Sequence, residues 1–154
     1  MLYGKTVVIT GANRGIGLEL ARQYSADDWD VVATARQSSA ELDQLGVRVE
    51  PLDLSDADAV ASFASRIGPP IDLFIANAGT NHPMNGATAD DARAWQSMML
   101  VNAIAPYMLA TKLVPLGPVL MITVLGLTLR RAFRGGDPQN SSENFCETII
   151  AASD

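Results

Sequence analysis

Three glycines, at positions 11, 15 and 17, form the pattern in this chain with the clearest chemical meaning. They lie between an apolar run at residues 6–9 and a helix-like segment at residues 16–26. A glycine-rich turn between strand and helix lets the backbone approach a phosphate, and the helix N-terminus offers unpaired N–H groups. The residues predicted to surround a dinucleotide pyrophosphate are Gly11, Asn13, Arg14, Gly15, Ile16 and Gly17. A structural turn that binds no ligand is the alternative interpretation.

Three further motifs follow in order along the chain. Asp53 and Leu54 come after a third apolar run, and the tripeptide 77–79 closes the run at residues 71–76. Asn102 lies four residues before Pro106 in a predicted helix. Since proline has no N–H, Pro106 cannot donate to the carbonyl of Asn102, and a proline inside a helix bends it.

These motifs, over about residues 5–123, resemble the short-chain dehydrogenase/reductase family, in which the glycines are spaced G-x-x-x-G-x-G. The resemblance implies that Asp53 hydrogen-bonds the adenine amino group, with the N–H of Leu54 beside it. It implies that Asn77 ties the central strands together and that Ala78 and Gly79 let the backbone approach the cofactor. The alternatives are that Asp53 caps the turn after its strand and that the role of Asn77 is mainly structural.

The end of the second strand predicts which cofactor is bound. Relatives that prefer NAD carry an acid where this chain has Ala35, and Arg36 follows. An acid there would repel the 2′-phosphate of NADP, whereas two guanidinium groups, Arg14 and Arg36, would bind it. We therefore predict NADP(H) rather than NAD(H), with solvated surface arginines as the alternative.

The catalytic half of the family pattern is incomplete in this chain. The resemblance implies that the carbonyl of Asn102 holds a water of a proton relay, and a proline kink without a relay is the alternative. The family also has a serine after the fifth strand and a Tyr-x-x-x-Lys pair, which this sequence lacks throughout. Tyr3, Tyr24 and Tyr107 all precede that strand, and Val124 occupies the place of the serine, so Thr123 is the remaining hydroxyl candidate.

The resemblance therefore predicts an NADP-dependent oxidoreductase, transferring hydride to or from a carbonyl or alcohol substrate, with impaired catalysis. The alternative is a non-catalytic dinucleotide- or partner-binding remnant of that family, and a third interpretation is an unstable truncation product. Residues 1–123 would form the dinucleotide-binding domain and residues 124–154 a tail of uncertain structure. The family resemblance ends near Thr123. A reading frame that departs there from the ancestral one would explain this, and so would a truncated gene.

Composition limits the other function classes. The 154 residues, 48% hydrophobic and 18% charged, suit one globular α/β domain. A net charge of −6 argues against nucleic-acid binding, and one histidine and one cysteine cannot supply a zinc site. A single cysteine and a strand that starts near the N-terminus predict a cytoplasmic protein. The uncharged residues 113–129 contain two prolines and two glycines, which favours a buried strand over a membrane span.

Alternating apolar runs and helical patterns predict the elements that position these residues. Strands are expected near residues 5–10, 30–35, 47–52, 71–76 and 119–123, and helices at 15–26, 39–45, 55–67 and 89–112. Ser55 and Thr88 are the expected N-caps, each with an acid three residues later. The predicted fold is a Rossmann-type doubly wound parallel sheet of about five strands, order 3-2-1-4-5, incomplete relative to the family. Self-association through the exposed sheet edge or the 89–112 helix is a further expectation.

Overall fold

A computed structural model describes residues 4–82, 88–116 and 120–123 of the chain. Strands and helices alternate from the first described residues. The elements are β1 (Thr6–Thr10), α1 (Gly15–Ala26), β2 (Asp30–Ala35), α2 (Ala40–Gln44), β3 (Arg48–Pro51), α3 (Ala57–Ile67), β4 (Leu73–Ala76), α4 (Ala89–Met99), α5 (Ala105–Leu113) and β5 (Leu120–Thr123). A π turn, Leu100–Ile104, joins α4 to α5, and a 3-10 turn, Val114–Leu116, follows α5.

The strands form one parallel sheet in the order β3-β2-β1-β4-β5, which confirms the predicted architecture. Strand β1 lies at the centre, with Val8 opposite Val32 of β2 and opposite Phe74 of β4. The chain moves outward in one direction through β2 and β3, and then in the other direction through β4 and β5. The carboxyl ends of β1 and β4 therefore border the switch point where open α/β sheets bind their ligands.

The sheet separates two apolar cores. On one face Val7 and Ile9 pack with Leu20 and Tyr24 of α1. The other face buries Val8 and Phe74 against side chains of α3 and α5, among them Phe63 and Leu109. Alternate residues of β1 point to opposite faces, and all five are buried. Helices on both faces explain why β1, β2 and β4 are almost continuously apolar.

Strand β3 differs from this pattern because it lies at the edge of the sheet. Arg48 and Pro51 are exposed, and Val49 and Glu50 are half-buried. The expectation that all strands would be covered on both faces was therefore wrong for β3, which the short helix α2 leaves partly open. The predicted tail at 124–154 lies outside the described residues.

Polar side chains cap three of the helices. Ser39 accepts from the N–H of Leu42 at α2, and Thr88 forms a full capping box with Asp91 at α4, as predicted. At α3 the prediction of Ser55 as N-cap was wrong. The N-cap is Asp56, whose carboxylate accepts from the N–H groups of Asp58 and Ala59 at 3.0 Å. A carboxylate one residue later offers the helix dipole a negative charge that a hydroxyl lacks.

The predicted single helix over residues 89–112 is interrupted. The distortion is the π turn that ends just before Pro106, where the N–H of Ala105 donates to the carbonyl of Leu100, five residues earlier. Proline has no N–H, so in a regular α-helix Pro106 would leave the carbonyl four residues earlier without its donor. The wider π turn accommodates the proline at this point. Within the part of the chain that the structure describes, Ala89–Leu116 is also the stretch long and apolar enough to cross a membrane by length and composition. Ala105, Leu109 and Leu113 on this stretch pack in the protein core.

Candidate dinucleotide site

The glycine turn lies against the loop that follows β4. Gly11 has φ +68°, a conformation that favours glycine, and a Cβ added there would lie 2.9 Å from the Cα of Ala78. The N–H of Ala12 donates to the carbonyl of Thr34 at 3.0 Å, which ties the same turn to the end of β2. The turn is thus fixed between the carboxyl ends of two strands.

Gly17 allows a second close approach. A Cβ at this position would lie 2.4 Å from the side-chain nitrogen of Asn77 and 2.4 Å from the carbonyl oxygen of Gly11. Both distances are well inside van der Waals contact, so the first turn of α1 could not pack here with any side chain. Gly17 brings helix and strand together, as the third glycine of such a turn is expected to do.

Thr10 and Asn77 hold this turn and the β4 loop together. The hydroxyl of Thr10 accepts from the backbone N–H groups of Asn77 and Ala78, each at 3.1 Å, and donates to the carbonyl of Ile75 at 3.4 Å. The amide of Asn77 donates to the carbonyls of Thr10 and Gly11 at 2.9 and 3.1 Å. These bonds join β1 to the loop after β4, the role that the resemblance implied for Asn77.

The N-terminus of α1 is open toward the carboxyl edge of the sheet. Its N-cap residue, Arg14, has extended backbone and makes no side-chain cap, and the first turn contains no acid. A Cβ added to Gly15 would meet no atom within 4 Å. The space beside Gly15 is therefore open, and a helix N-terminus with no acid in its first turn stabilises an anion. These residues fit a dinucleotide phosphate.

Two exposed guanidinium groups belong to the same edge. Arg14 begins α1, and Arg36 directly follows the last residue of β2, the buried Ala35. Asn13 is half-buried within the turn, while Ile16 packs partly against the core. Position 35 is alanine, so β2 ends without an acid next to Arg36.

Asp53 lies beyond the end of β3, on the far side of β2 from the glycine turn. Its carboxylate accepts from the hydroxyl and the N–H of Ser55, at 2.7 and 2.9 Å. These two bonds and, to a smaller degree, the positive charge of Arg36 lower the pKa of Asp53. The contacts are those of an acid that caps the turn after a strand, and Leu54 beside it is buried. The adenine contacts of these residues stay a prediction.

The lowered pKa of Asp53 gives a titration test. The folded state favours the ionised carboxylate of Asp53. The stability that Asp53 contributes is therefore present above the ordinary aspartate pKa and is lost as pH falls through the folded pKa. The side chain is exposed, so this contribution is small. Ser55→Ala should raise the pKa of Asp53 toward its ordinary value, measured by carboxyl-carbon NMR titration. Ser65→Ala, which removes a hydroxyl bonded to a backbone carbonyl of α3, should leave that pKa unchanged.

Asn102 anchors the other side of the β4 loop. Its amide oxygen accepts from the N–H of Thr80 at 2.8 Å, and its amide nitrogen donates to the carbonyl of Thr80 at 2.8 Å. The side chain thus pairs with a backbone unit as a neighbouring strand would. Since Asn102 lies within the π turn, this pair fixes the π turn beside the loop that contains Gly79. The relay role of its carbonyl stays a prediction.

The other residues considered for catalysis lie on three different elements, α1, α5 and β5. Tyr24 is fully buried in the α1 core, where its ring packs edge-on against Trp29 at 5.0 Å between ring centroids. Tyr107 lies on α5 with 70% of its surface exposed. Thr123 is the last residue of β5, the strand that pairs with β4. Neither described tyrosine lies among the contacts that join the glycine turn to the β4 loop.

A family comparison agrees with this geometry. Residues 5–122 match the family described as short chain dehydrogenase. The chain belongs to this family. Members of the short-chain dehydrogenase family bind a nicotinamide dinucleotide and a substrate, and the parallel sheet of this chain has the Rossmann-type order of the family.

Individual relatives give the extent of the match. The chain is 35% identical over 128 residues to a short chain dehydrogenase/reductase of Cryptosporiopsis, covering 73% of this chain and 38% of that protein. An uncharacterized oxidoreductase, YmfI of Bacillus subtilis, is 33% identical over 121 residues, covering 72% of this chain and 50% of that protein. The chain therefore spans half or less of the length of these two short-chain dehydrogenase relatives.

A solved structure supports the fold over a longer stretch. The crystal structure of a metagenomic short-chain oxidoreductase in complex with NADP has a TM-score of 0.71 to this chain at 23% identity. It covers 99% of this chain and 92% of that one. At this identity the likeness shows the short-chain dehydrogenase fold alone.

Two residues of the site were missed by sequence reasoning. Thr10 was noted as the first residue of the glycine motif, but its hydroxyl was not assigned a role. Thr80 interacts through its backbone, so its side-chain type carried no signal. For Thr10 a signal did exist, because a polar residue at the end of an otherwise apolar buried strand needs hydrogen-bond partners.

Proposed function

We propose that this chain binds NADP(H) across the carboxyl edge of its sheet, with the pyrophosphate at the N-terminus of α1. The observation that carries the proposal is the open, uncapped first turn of α1, next to the space that Gly15 leaves. Three other helices are capped by their own side chains, at Ser39, Asp56 and Thr88. The backbone N–H groups of α1 are thus left for a ligand.

The preference for NADP(H) over NAD(H) rests on charge. Arg14 and Arg36 offer two guanidinium groups near the end of β2, and a 2′-phosphate would accept charge-assisted hydrogen bonds from them. The small, buried Ala35 brings no carboxylate to hydrogen-bond a free ribose hydroxyl. The NADP in the metagenomic relative of the same fold supports this choice.

The reaction of this site type is hydride transfer between the nicotinamide of NADP(H) and a carbonyl or alcohol carbon. The chain itself contributes the cradle for the phosphates and the Asn77 and Asn102 contacts that hold the β4 loop in place. A proton must also be exchanged at the substrate oxygen, and no Tyr-x-x-x-Lys pair is present to do so. An unassisted tyrosine with a pKa near about 10 exchanges protons poorly at neutral pH. We therefore expect this chain to bind the cofactor and to turn over substrate slowly or not at all.

A thermal titration tests the proposal. The 154-residue chain is heated with increasing NADPH or, separately, NADH. At a hundred times its dissociation constant, a cofactor that binds only the folded state should add about 2.7 kcal/mol of stability. A larger rise in Tm with NADPH than with NADH would support the site and its preference. A cooperative transition that responds to neither cofactor would refute it.

A second candidate function is partner binding without catalysis, and one surface favours it. Large apolar side chains are exposed at Trp95, Met99, Ile104 and Tyr107, between 46% and 70% of each residue. These residues are spaced four, five and three positions apart, and the spacing of five spans the π turn. Each spacing corresponds to about one helical turn, so the four side chains share one face. We propose that a second copy of the chain covers this face, rather than pairing through the sheet edge.

The order of residues on this face suits an antiparallel pair of helices. A two-fold axis near position 101 would place Trp95 opposite Tyr107 of the partner subunit and Met99 opposite Ile104 of the partner subunit. Tyr107→Glu should then weaken self-association at least about tenfold by sedimentation equilibrium, because it places a charge in an apolar contact. Ala61→Glu, at an exposed position of α3, is the control, and equal effects of the two variants would contradict this surface.

A further inference from the structure

An acid is held against the loop that follows β2, close in sequence to the arginine assigned to the phosphate. The hydroxyl of Ser38 donates to the carboxylate of Asp43 at 2.5 Å. Ser38 lies two residues beyond Arg36, and Asp43 lies in the short helix α2. The hydrogen bond therefore links Ser38, close in sequence to the proposed 2′-phosphate site, to the negative charge of Asp43.

The position of Asp43 is set by the backbone of α2. Its N–H donates to the carbonyl of Ser39 at 2.9 Å, and the Ser39 hydroxyl accepts from the N–H of Leu42 at 3.2 Å. Leu42 is fully buried in the core, so the helix cannot easily move away from the sheet. The carboxylate is consequently kept beside Ser38 by the fold rather than by the Ser38 bond alone.

Charge near the proposed phosphate site is therefore mixed. The guanidinium of Arg36 lies near enough to Asp53 to contribute, after the two Ser55 hydrogen bonds, to the lowered pKa of that acid. Asp43 adds a second carboxylate, bonded to Ser38 two residues beyond Arg36. A hydroxyl has one hydrogen to donate, and that of Ser38 points to Asp43 and is lost to a phosphate.

We propose that Asp43 is a specificity-determining residue that moderates the preference for NADPH over NADH. It does so by occupying the Ser38 hydroxyl and by placing a negative charge near the 2′-phosphate, which NADH lacks. The inference rests on the proposed function, because it concerns the same cofactor site.

The experiment compares cofactor dissociation constants of the full chain by fluorescence titration. Asp43→Asn keeps the size of the side chain and removes its charge. NADPH should bind about three- to tenfold more tightly to this variant, while NADH binding changes less than about twofold. Glu41→Gln removes the same charge from an exposed position of the same helix and should change neither constant by more than about twofold.

A second substitution tests the part played by Ser38. In the wild-type chain Ser38→Ala should change NADPH binding less than about twofold, since the hydroxyl is already engaged by Asp43. In an Asp43→Ala chain, where the Ser38 hydroxyl has lost this acceptor, the same change should remove part of the gain. Asp43→Ser also removes the charge and should give a similar gain in NADPH affinity. It replaces Asp43→Asn in the experiment if the Asp43→Asn chain does not unfold cooperatively.

The outcomes separate this inference from the proposed function. The role of Asp43 alone is overturned if the wild-type chain binds NADPH and the NADPH affinity of Asp43→Asn and Asp43→Ser is unchanged. It is also overturned if Glu41→Gln gains as much NADPH affinity as these variants do. Equal gains for NADPH and NADH overturn it as well, because the effect would not involve the 2′-phosphate. A folded wild-type chain that binds neither cofactor overturns the proposed function and this inference with it.

Discussion

Replacing Thr10 by valine should lower the free energy of unfolding by about 2 kcal/mol. The two side chains have nearly the same shape, but valine cannot accept the N–H groups of Asn77 and Ala78, which the Thr10 hydroxyl now accepts at 3.1 Å. Thr10 is only 1% exposed, so water cannot easily replace the lost oxygen. The N–H of Asn77 keeps a second acceptor, the carbonyl of Ile75 at 3.0 Å, so the N–H of Ala78 is the donor that loses its partner, at a cost of about 1–3 kcal/mol. Urea unfolding of the two proteins measures the difference.

Thr10→Ser provides the matched control, because it keeps the hydroxyl and removes one methyl group. It should cost about 1 kcal/mol, the loss expected for one buried methyl. The valine variant should also bind NADPH less tightly, since the β4 loop would lose its attachment to the end of β1. If valine proves as stable as serine, the hydroxyl does not hold these two N–H groups, and the network around it is not what fixes the loop.

The order of the strands could be predicted from the sequence because the signals are local and repeated. Continuous apolar runs such as residues 6–9 and 71–76, separated by helical patterns, leave few topologies that obey right-handed crossovers. The glycine turn predicted the strand-to-helix junction for the same reason. Side chains at Gly11 and Gly17 would clash with Ala78 and Asn77, whereas Gly15 has open space beside it and a φ of +57°.

The interactions that depend on distant partners could not be predicted. Nothing in the sequence near Asn102 shows that its amide pairs with the backbone of Thr80, since the two residues are 22 positions apart. The π turn was also missed, because Pro106 predicts a distortion but not whether the helix kinks or widens. The cap of α3 was misassigned for a different reason. Ser55 and Asp56 are both good caps, and the bond of Ser55 to Asp53 decides between them.

Replacing Gly17 by alanine should destabilise the fold by at least about 3 kcal/mol, the upper end of the range for overpacking. The added methyl would lie 2.4 Å from both the Asn77 amide nitrogen and the Gly11 carbonyl oxygen. The Gly11 oxygen belongs to the backbone of a turn that is itself tied to Asn77, so it cannot rotate away as the end of a flexible side chain could. Helix α1 must shift instead, and that would strain the core contacts of Leu20 and Tyr24.

Gly15→Ala separates this clash from ordinary backbone strain. At Gly15 the added methyl meets no atom within 4 Å, but φ is +57°, so only the cost of a left-handed alanine, about 1–2 kcal/mol, is expected. The two variants should also differ in NADPH binding once both are folded in stabilising conditions. Gly17→Ala moves α1 away from the β4 loop and should weaken binding by more than about tenfold, because the phosphate cradle is made by both. If urea unfolding gives the two variants equal stability, the close packing of α1 on Asn77 is not needed by the fold, and Gly17 would owe its place to backbone conformation alone.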